Sequence, residues 1–81
     1  MSTRPNLTLN PPHSLPNYNL TDRELTVLGL MAKVFSNQEI ADQIFVSRAT
    51  VKVCVSTILS KLGVQNRIEA VRLALQQSLV N

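Results

Sequence analysis

Hydrophobic residues recur at helical spacing along the chain from Leu20 onward, with polar residues between them. Positions three and four residues apart lie on the same side of an α-helix, so each such stripe indicates a helix with one face in a core. The pattern predicts four helices, at about 21–34, 36–44, 47–62 and 66–79. Their predicted core stripes are Leu25, Leu28 and Ala32 beside Met31; Ile40, Ala41 and Ile44; Val51, Val55, Ile58 and Leu62; and Ile68, Val71, Leu75 and Leu79.

Polar residues that cap helices stand at the start of each stripe. Thr21, Ser36 and Asn66 are each followed three residues later by a glutamate, which is typical of a capped helix start. Ser47 is a cap without an acid, because a threonine stands at the third helical position. None of these helices is long or alanine-rich enough to be stable alone, so they must share one core. We therefore predict an all-α fold, a four-helix bundle with a central helix-turn-helix.

The beginning of the chain has a different character. All four prolines fall in the first 16 residues, mixed with asparagine and serine. Proline removes a backbone donor and disfavours helix in the residue before it. We expect residues 1–19 to be a flexible Pro/Asn-rich tail or linker, and residues 20–81 to be the folded domain.

Positive charge is concentrated in one segment. The net charge is +3, but four basic residues and no acid lie between Gln43 and Ile68. This concentration favours a surface that faces a polyanion, and the alternative is an ordinary solvated helix face. The chain has no apolar run of membrane-spanning length and no signal-peptide pattern, and its one cysteine cannot form an internal disulfide. We expect a cytoplasmic protein without a membrane partner.

The segment from Ser36 to Leu62 predicts two short helices joined by a tight turn, which is the arrangement of a helix-turn-helix. On the third helix, the residues outside the core stripe are small, hydroxylated or basic: Ala49, Lys52, Val53, Ser56, Thr57 and Ser60. Small side chains allow close approach to base edges, hydroxyls bond to either kind of edge group, and a valine suits a thymine methyl. Basic residues at and beyond the helix start can reach phosphates: Arg48, Lys52, Lys61 and Arg67. The alternative is a surface helix with one outward valine.

Four spaced motifs cover most of the chain: LTxRE in the first helix, SNxEIA in the second, SxxTVKxxVxxIxxKL through the third and VxNRxEAV into the fourth. Over residues 20–80 the chain resembles the LuxR/FixJ-type, or GerE-like, helix-turn-helix domain of bacterial transcriptional regulators. The resemblance implies a domain that binds double-stranded DNA as a dimer at two half-sites, with the third helix in the major groove. It implies base contacts from Lys52, Val53 and Ser56, and backbone contacts from Ser47, Thr50, Lys61 and Arg67.

The fourth helix has a second face opposite its predicted core stripe, formed by Ala70, Leu73, Ala74 and Gln77. A two-faced helix at the edge of a small domain is typical of a contact surface, and the resemblance implies a dimer contact from this helix. We expect a homodimer through these residues, and the alternative is that Leu73 packs under the tail. RNA polymerase is a further candidate partner.

Three residues depart from the family pattern. Val34 stands where a glycine usually ends the first helix, which predicts strain or a shifted helix end. Ser78 stands where a glycine usually lies near the end of the fourth helix, which predicts a slightly longer helix. Cys54 replaces a histidine. A thiol beside Lys52 makes a redox-switched regulator a minor alternative, although a half-buried cysteine is usually an inert small hydrophobe.

Other classes of function remain as alternatives. A helical protein-interaction module that docks a partner through the fourth helix is the main one, and the local positive charge argues against it. The helices carry no carboxylate pair, nucleophile–base set or glycine-rich phosphate loop, so we do not expect an enzyme. His13 has no cysteine or carboxylate cluster near it, so we expect neither a metal nor a cofactor.

Most members of the family carry a receiver or ligand-binding domain ahead of this one, and the tail fits either a linker to such a domain or a stand-alone regulator.

Overall fold

The computed structural model describes residues 18–80, which form four α-helices. They are α1 (Asp22–Ala32), α2 (Asn37–Ile44), α3 (Arg48–Leu62) and α4 (Arg67–Gln76). No strand occurs within residues 18–80. The predicted all-α four-helix fold is therefore confirmed. The predicted tail falls almost wholly outside the described residues, which include only its last two positions.

Every helix begins at a predicted cap. Four cap side chains accept hydrogen bonds from backbone N–H groups three residues later, at 2.9 to 3.1 Å: those of Thr21, Ser36, Ser47 and Asn66. Glu24 and Glu39 complete the first two capping boxes by accepting from the cap N–H groups at 2.8 and 2.7 Å. Because these N–H groups have no partner inside the helix, the caps hold each helix start in place.

The four helices end through one shared motif. Near each end one residue has a left-handed backbone: Val34, Phe45, Gly63 and Ser78, with φ of 66°, 61°, 70° and 56°. In each case the next residue donates its N–H to the carbonyl five positions earlier, at 2.8 to 3.2 Å. This closing motif favours glycine at the left-handed position, yet glycine occupies only one of the four. The expected strain at Val34 is present. The expected extension at Ser78 is wrong, because the left-handed turn ends α4 at Gln76.

α3 contacts all three other helices and supplies the middle of the core. The buried hydrophobic residues are Val27, Leu28 and Met31 of α1, Ile40 and Ala41 of α2, Val51, Val55, Ile58 and Leu62 of α3, and Ala70 and Ala74 of α4. The stripe predicted for α3 is confirmed at every position. In α1 the buried face includes Val27, which the predicted stripe omitted.

The stripe predicted for α4 is wrong at Ile68 and Leu75, whereas Val71 and Leu79 are half-buried and pack against the core. Ala70 and Ala74 are fully buried, whereas Ile68 and Leu75 are 69% and 50% exposed. Alanine side chains let α4 approach α1 and α3 closely, and close packing of the interior favours that approach. Ile68 and Leu75 consequently face outward, while Leu73 stays packed against the core.

This orientation also removes two residues from the predicted dimer face. Ala70 and Ala74 belong to the core of the domain. Leu73 packs against that core, and Gln77 accepts a hydrogen bond of 2.8 Å at Oε1 from the Tyr18 hydroxyl. Ala70 and Ala74 are therefore not available to a second copy, whereas Leu73 and Gln77 are half-buried and each has a contact within the chain.

None of the helices within residues 18–80 is long and apolar enough to cross a membrane. The same part of the chain has no group of three or more histidine, cysteine, aspartate or glutamate residues that could hold a metal ion. His13 lies outside the described residues.

Candidate nucleic-acid interface

α2 and α3 form a helix-turn-helix. Between them, Phe45 takes a left-handed conformation after α2, and Ser47 caps α3 two residues later. Ile40 and Ala41 of α2 pack into the same buried cluster as the inner side of α3. α2 thus braces α3 from one side and leaves the opposite side of α3 in solvent.

The outer side of α3 carries the residues that we predicted to contact bases. Lys52, Val53 and Ser56 are all exposed, and their spacing places them on one side of the helix. Thr57 is different, because it is half-buried and its hydroxyl donates to the carbonyl of Val53 at 3.0 Å. Thr57 is therefore less available to an external partner than its predicted outward position implied.

The start of α3 is open to solvent as well. Arg48, Ala49 and Thr50 are exposed, and the hydroxyls of Thr50 and Ser47 lie 2.9 Å apart. The hydroxyl of Ser47 also accepts the N–H of Thr50 at 3.1 Å. Small, polar and cationic groups thus surround this helix end, where the helix dipole favours negative charge.

A cleft with a volume of about 790 Å³ lies beside this helix end. Residues from both helices of the motif line it, together with the first residue of α4: Ser36, Asn37, Gln38, Arg48, Ala49, Lys52 and Arg67. Three of these side chains are cationic, and the N-terminus of α2 opens into the same space. Backbone N–H groups at a helix start and nearby guanidinium or ammonium groups are suited to phosphate oxygens.

Arg67 joins the start of α4 to the start of α2. Its Nη1 donates to Asn37 Oδ1 at 2.9 Å, and its Nη2 donates to the carbonyl of Phe35 at 3.0 Å. The side chain is half-buried. We predicted Arg67 as a phosphate contact, and the structure shows in addition that it holds two helix starts together.

The ammonium group of Lys61 bonds other groups of the same domain, which does not favour the predicted phosphate contact. Its Nζ donates to Glu24 Oε1 and to the carbonyl of Asn19, both at 2.8 Å. The hydrogen bond from Lys61, followed by the one from the backbone N–H of Thr21, holds the pKa of the buried Glu24 carboxyl below its usual value. Lys61 lies in the last turn of α3, at the far end from the basic cleft.

Cys54 lies on the inner flank of α3. The side chain is half-buried, and burial followed by the charge of Glu24 raises the pKa of its thiol above the usual value. A thiol with a raised pKa is mostly protonated at neutral pH and is a poor nucleophile. These surroundings do not support the redox alternative.

The α2 side of the cleft was not evident from the sequence. Ser36, Asn37 and Gln38 line it, although we had considered Ser36 only as a helix cap and had given the other two no role. A cap sequence places open N–H groups at the start of a helix, and this is the signal that could have identified them. These residues lie near Lys52 because of the way α2 packs against α3, and a local sequence pattern does not predict that packing.

The fold and the basic outer side of the helix-turn-helix are those of a DNA-binding domain. Residues 18–74 match the family described as bacterial regulatory proteins, luxR family. The chain belongs to this family, so the resemblance found in the sequence is confirmed. Members are DNA-binding transcription regulators, and this chain is a LuxR-type DNA-binding domain rather than a member of an enzyme class.

Similar proteins include the response regulator protein VraR of Staphylococcus aureus (strain NCTC 8325 / PS 47) and of Staphylococcus epidermidis (strain ATCC 35984). Each is 52% identical to this chain over 61 residues, which are 75% of this chain and 29% of the relative. The chain thus spans less than a third of the length of these relatives.

Solved structures show the same fold. The transcription factor GerE superposes with a TM-score of 0.72 at 31% identity, covering 76% of this chain and 92% of GerE. The response regulator ChrA of a heme-sensing two-component system superposes with a TM-score of 0.71 at 43% identity, covering 74% of this chain and 30% of ChrA.

Proposed function

We propose that this domain reads DNA sequence by placing α3 in the major groove and binds as a dimer at two half-sites. The observation that carries the proposal is the exposed outer side of α3 next to a cleft with three cations. A helix of this kind fits the major groove, and the cleft lies where a phosphate-bearing wall of the groove would pass. The regulatory effect would follow from occupancy of the DNA site. We propose a cytoplasmic protein, with RNA polymerase as a further partner.

We propose two kinds of contact with DNA, to base edges and to the phosphate backbone. Lys52, Val53 and Ser56 are proposed to reach base edges, because they are exposed on the middle of the outer side. The backbone contacts are proposed for groups around the cleft and the α3 start: Ser47, Arg48, Thr50 and Arg67. Lys61 is left out, because Glu24 and the carbonyl of Asn19 hold its ammonium group.

We expect Lys52→Ala to weaken DNA binding measurably. If Lys52 contacts phosphate, affinity falls on every sequence and the log–log salt slope becomes shallower by about 0.9. If it reads a base edge, preference is relaxed at one base pair at a cost of about 1–3 kcal/mol. Fluorescence anisotropy on matched and mismatched sites at several salt concentrations separates the two outcomes.

Lys33→Ala is the matched control for charge, because Lys33 is an exposed cation at the end of α1. It should change neither the affinity ranking of the sites nor the salt slope beyond a small nonspecific effect. If Lys52→Ala behaves like Lys33→Ala, the assignment of α3 as the reading helix fails.

The dimer contact is proposed for the outer side of α4, with residues different from those that the sequence indicated. Ile68 and Leu75 are exposed there and Val71 is half-buried, so the outward side of the helix carries an apolar stripe beside the exposed Glu69 and Arg72. An exposed apolar stripe on a small domain marks a contact surface. Two copies related by a two-fold axis would cover it and place two α3 helices for two half-sites.

A protein-interaction module is the second candidate, and the same apolar side of α4 favours it. Filter binding across salt concentrations separates the two candidates. A DNA-binding domain shows affinity that falls steeply with salt, whereas a pure interaction module shows little binding and no such slope.

We expect DNA binding to be insensitive to mild oxidation. The raised pKa of Cys54 keeps its thiol protonated, so hydrogen peroxide at a level that modifies reactive cysteines should leave it reduced. The measurement is DNA affinity before and after treatment, with mass spectrometry of the cysteine and with Cys54→Ser as the control. Loss of binding in the wild type but not in the serine variant would support the redox alternative instead.

A further inference from the structure

Val34 combines two unfavourable features at one position. Its φ of 66° is a conformation that a β-branched side chain rarely adopts, and its side chain is 88% exposed. A glycine would close α1 through the same hydrogen bonds without this strain. Residues in such conformations persist where the surrounding structure fixes them, and they cluster at functional sites. Since the folded chain leaves this side chain in solvent, the side chain is available for contact with another molecule.

The surroundings of Val34 indicate what that molecule is. Val34 lines a mainly apolar cleft of about 470 Å³ together with Met31, Phe35, Ile68 and Val71. Glu39 and Arg67 line its polar edge. Ile68 and Val71 belong to the outer side of α4, so the cleft continues the proposed dimer contact toward the end of α1. The most exposed apolar side chains at its edge are Val34 and Ile68, which flank a recess lined by the more buried Met31 and Phe35.

We infer that Val34 is an interface residue for a second copy of this chain. In a two-fold arrangement one surface must complement itself, and projecting side chains beside a recess meet that requirement. Val34 and Ile68 of each copy would enter the recess of the other. Glu69 and Arg72 are exposed on the same helix with opposite charges, so an antiparallel pair of α4 helices brings opposite charges near each other. This inference rests on the proposed dimer through α4.

Val34 then affects stability and association in opposite directions. Val34→Gly removes the backbone strain and should raise the urea midpoint of unfolding at a concentration where the chain is monomeric. The same change removes an apolar contact from both copies and should weaken dimerisation about tenfold. Val34→Asn, which also tolerates a left-handed backbone but is polar, should weaken dimerisation similarly without adding the flexibility of glycine.

Phe45→Gly is the matched control. Phe45 is also apolar, left-handed and exposed, at 92%, but it lies in the turn between α2 and α3 and does not line this cleft. Relief of strain there should raise the urea midpoint and leave dimerisation unchanged. Sedimentation equilibrium of the full 81-residue chain without DNA measures association for all variants.

The outcomes separate this inference from the proposed dimer. If Ile68→Lys abolishes association while both Val34 variants associate like the wild type, the dimer stands and the inference fails. It also fails if Phe45→Gly weakens association as much as Val34→Gly does. A wild-type chain that stays monomeric up to about 1 mM, a weak affinity for any interface, overturns both the dimer and the inference.

Discussion

Ala74→Lys should unfold the domain, whereas Leu75→Lys should leave it folded. Ala74 is fully buried between α4 and the rest of the core, so a lysine there would be too large and would place an unpaired charge in the interior. The expected loss is about 4 kcal/mol or more, comparable to the whole stability of a domain of this size. Leu75 is half exposed, and a lysine there can reach water, so the expected loss is below about 1 kcal/mol.

Circular dichroism during urea unfolding, at a concentration too low for association, measures both variants. The pair is informative because the two residues are neighbours on one helix and face opposite environments, the core for Ala74 and solvent for Leu75. If Leu75→Lys unfolds the domain and Ala74→Lys does not, the stripe predicted from the sequence is right and the observed orientation of α4 is wrong.

Glu24→Gln should lower the free energy of unfolding at neutral pH by about 2 kcal/mol. The side chain is 10% exposed and bonds both Lys61 and the backbone N–H of Thr21. Glutamine can still complete the capping box, so the substitution removes mainly the charge that faces Lys61. Because the Lys61 side chain is 29% exposed, water screens part of the attraction, and the expected loss lies below that of a fully buried pair. Glu39→Gln, in an exposed capping box, should change stability by less than about 0.5 kcal/mol.

The effect of Glu24 should depend on pH. The hydrogen bond from Lys61 is the main cause of its lowered pKa in the folded state, so the carboxylate binds its proton less readily there than in the unfolded chain. Its contribution is therefore complete above the unfolded pKa and is lost as the pH falls through the folded pKa. Urea unfolding between about pH 7 and pH 2 should show the wild type and Glu24→Gln converging in the acid range. A constant difference across that range would contradict the assignment.

Local signals predicted much of the secondary structure. The four helix starts were correct, because a cap side chain bonds an N–H group only three residues away. The helix ends were less accurate. α1 ends at Ala32 and α4 at Gln76, because residues with large or polar side chains take left-handed positions that usually belong to glycine.

The orientation of α4 was predicted wrongly for a physical reason. Its sequence offers two apolar faces, one with large side chains and one with alanines. Periodicity favours the larger side chains as the core face, since they bury more surface. The structure instead buries Ala70 and Ala74, whose small side chains suit a close contact of α4 with α1 and α3.

The helix-turn-helix, its outer residues and the family of the domain follow from the order of residues along the chain, because caps, stripes and motifs are all local. Packing between helices set the remaining features. Helix packing allows Lys61 to bond Glu24 and Arg67 to bond Asn37, and it places the start of α2 beside Lys52. It also leaves Ile68 and Leu75 of α4 exposed, with Ile68 beside the strained Val34. These contacts join residues far apart in sequence, and their geometry depends on side-chain volumes that a periodic pattern does not contain.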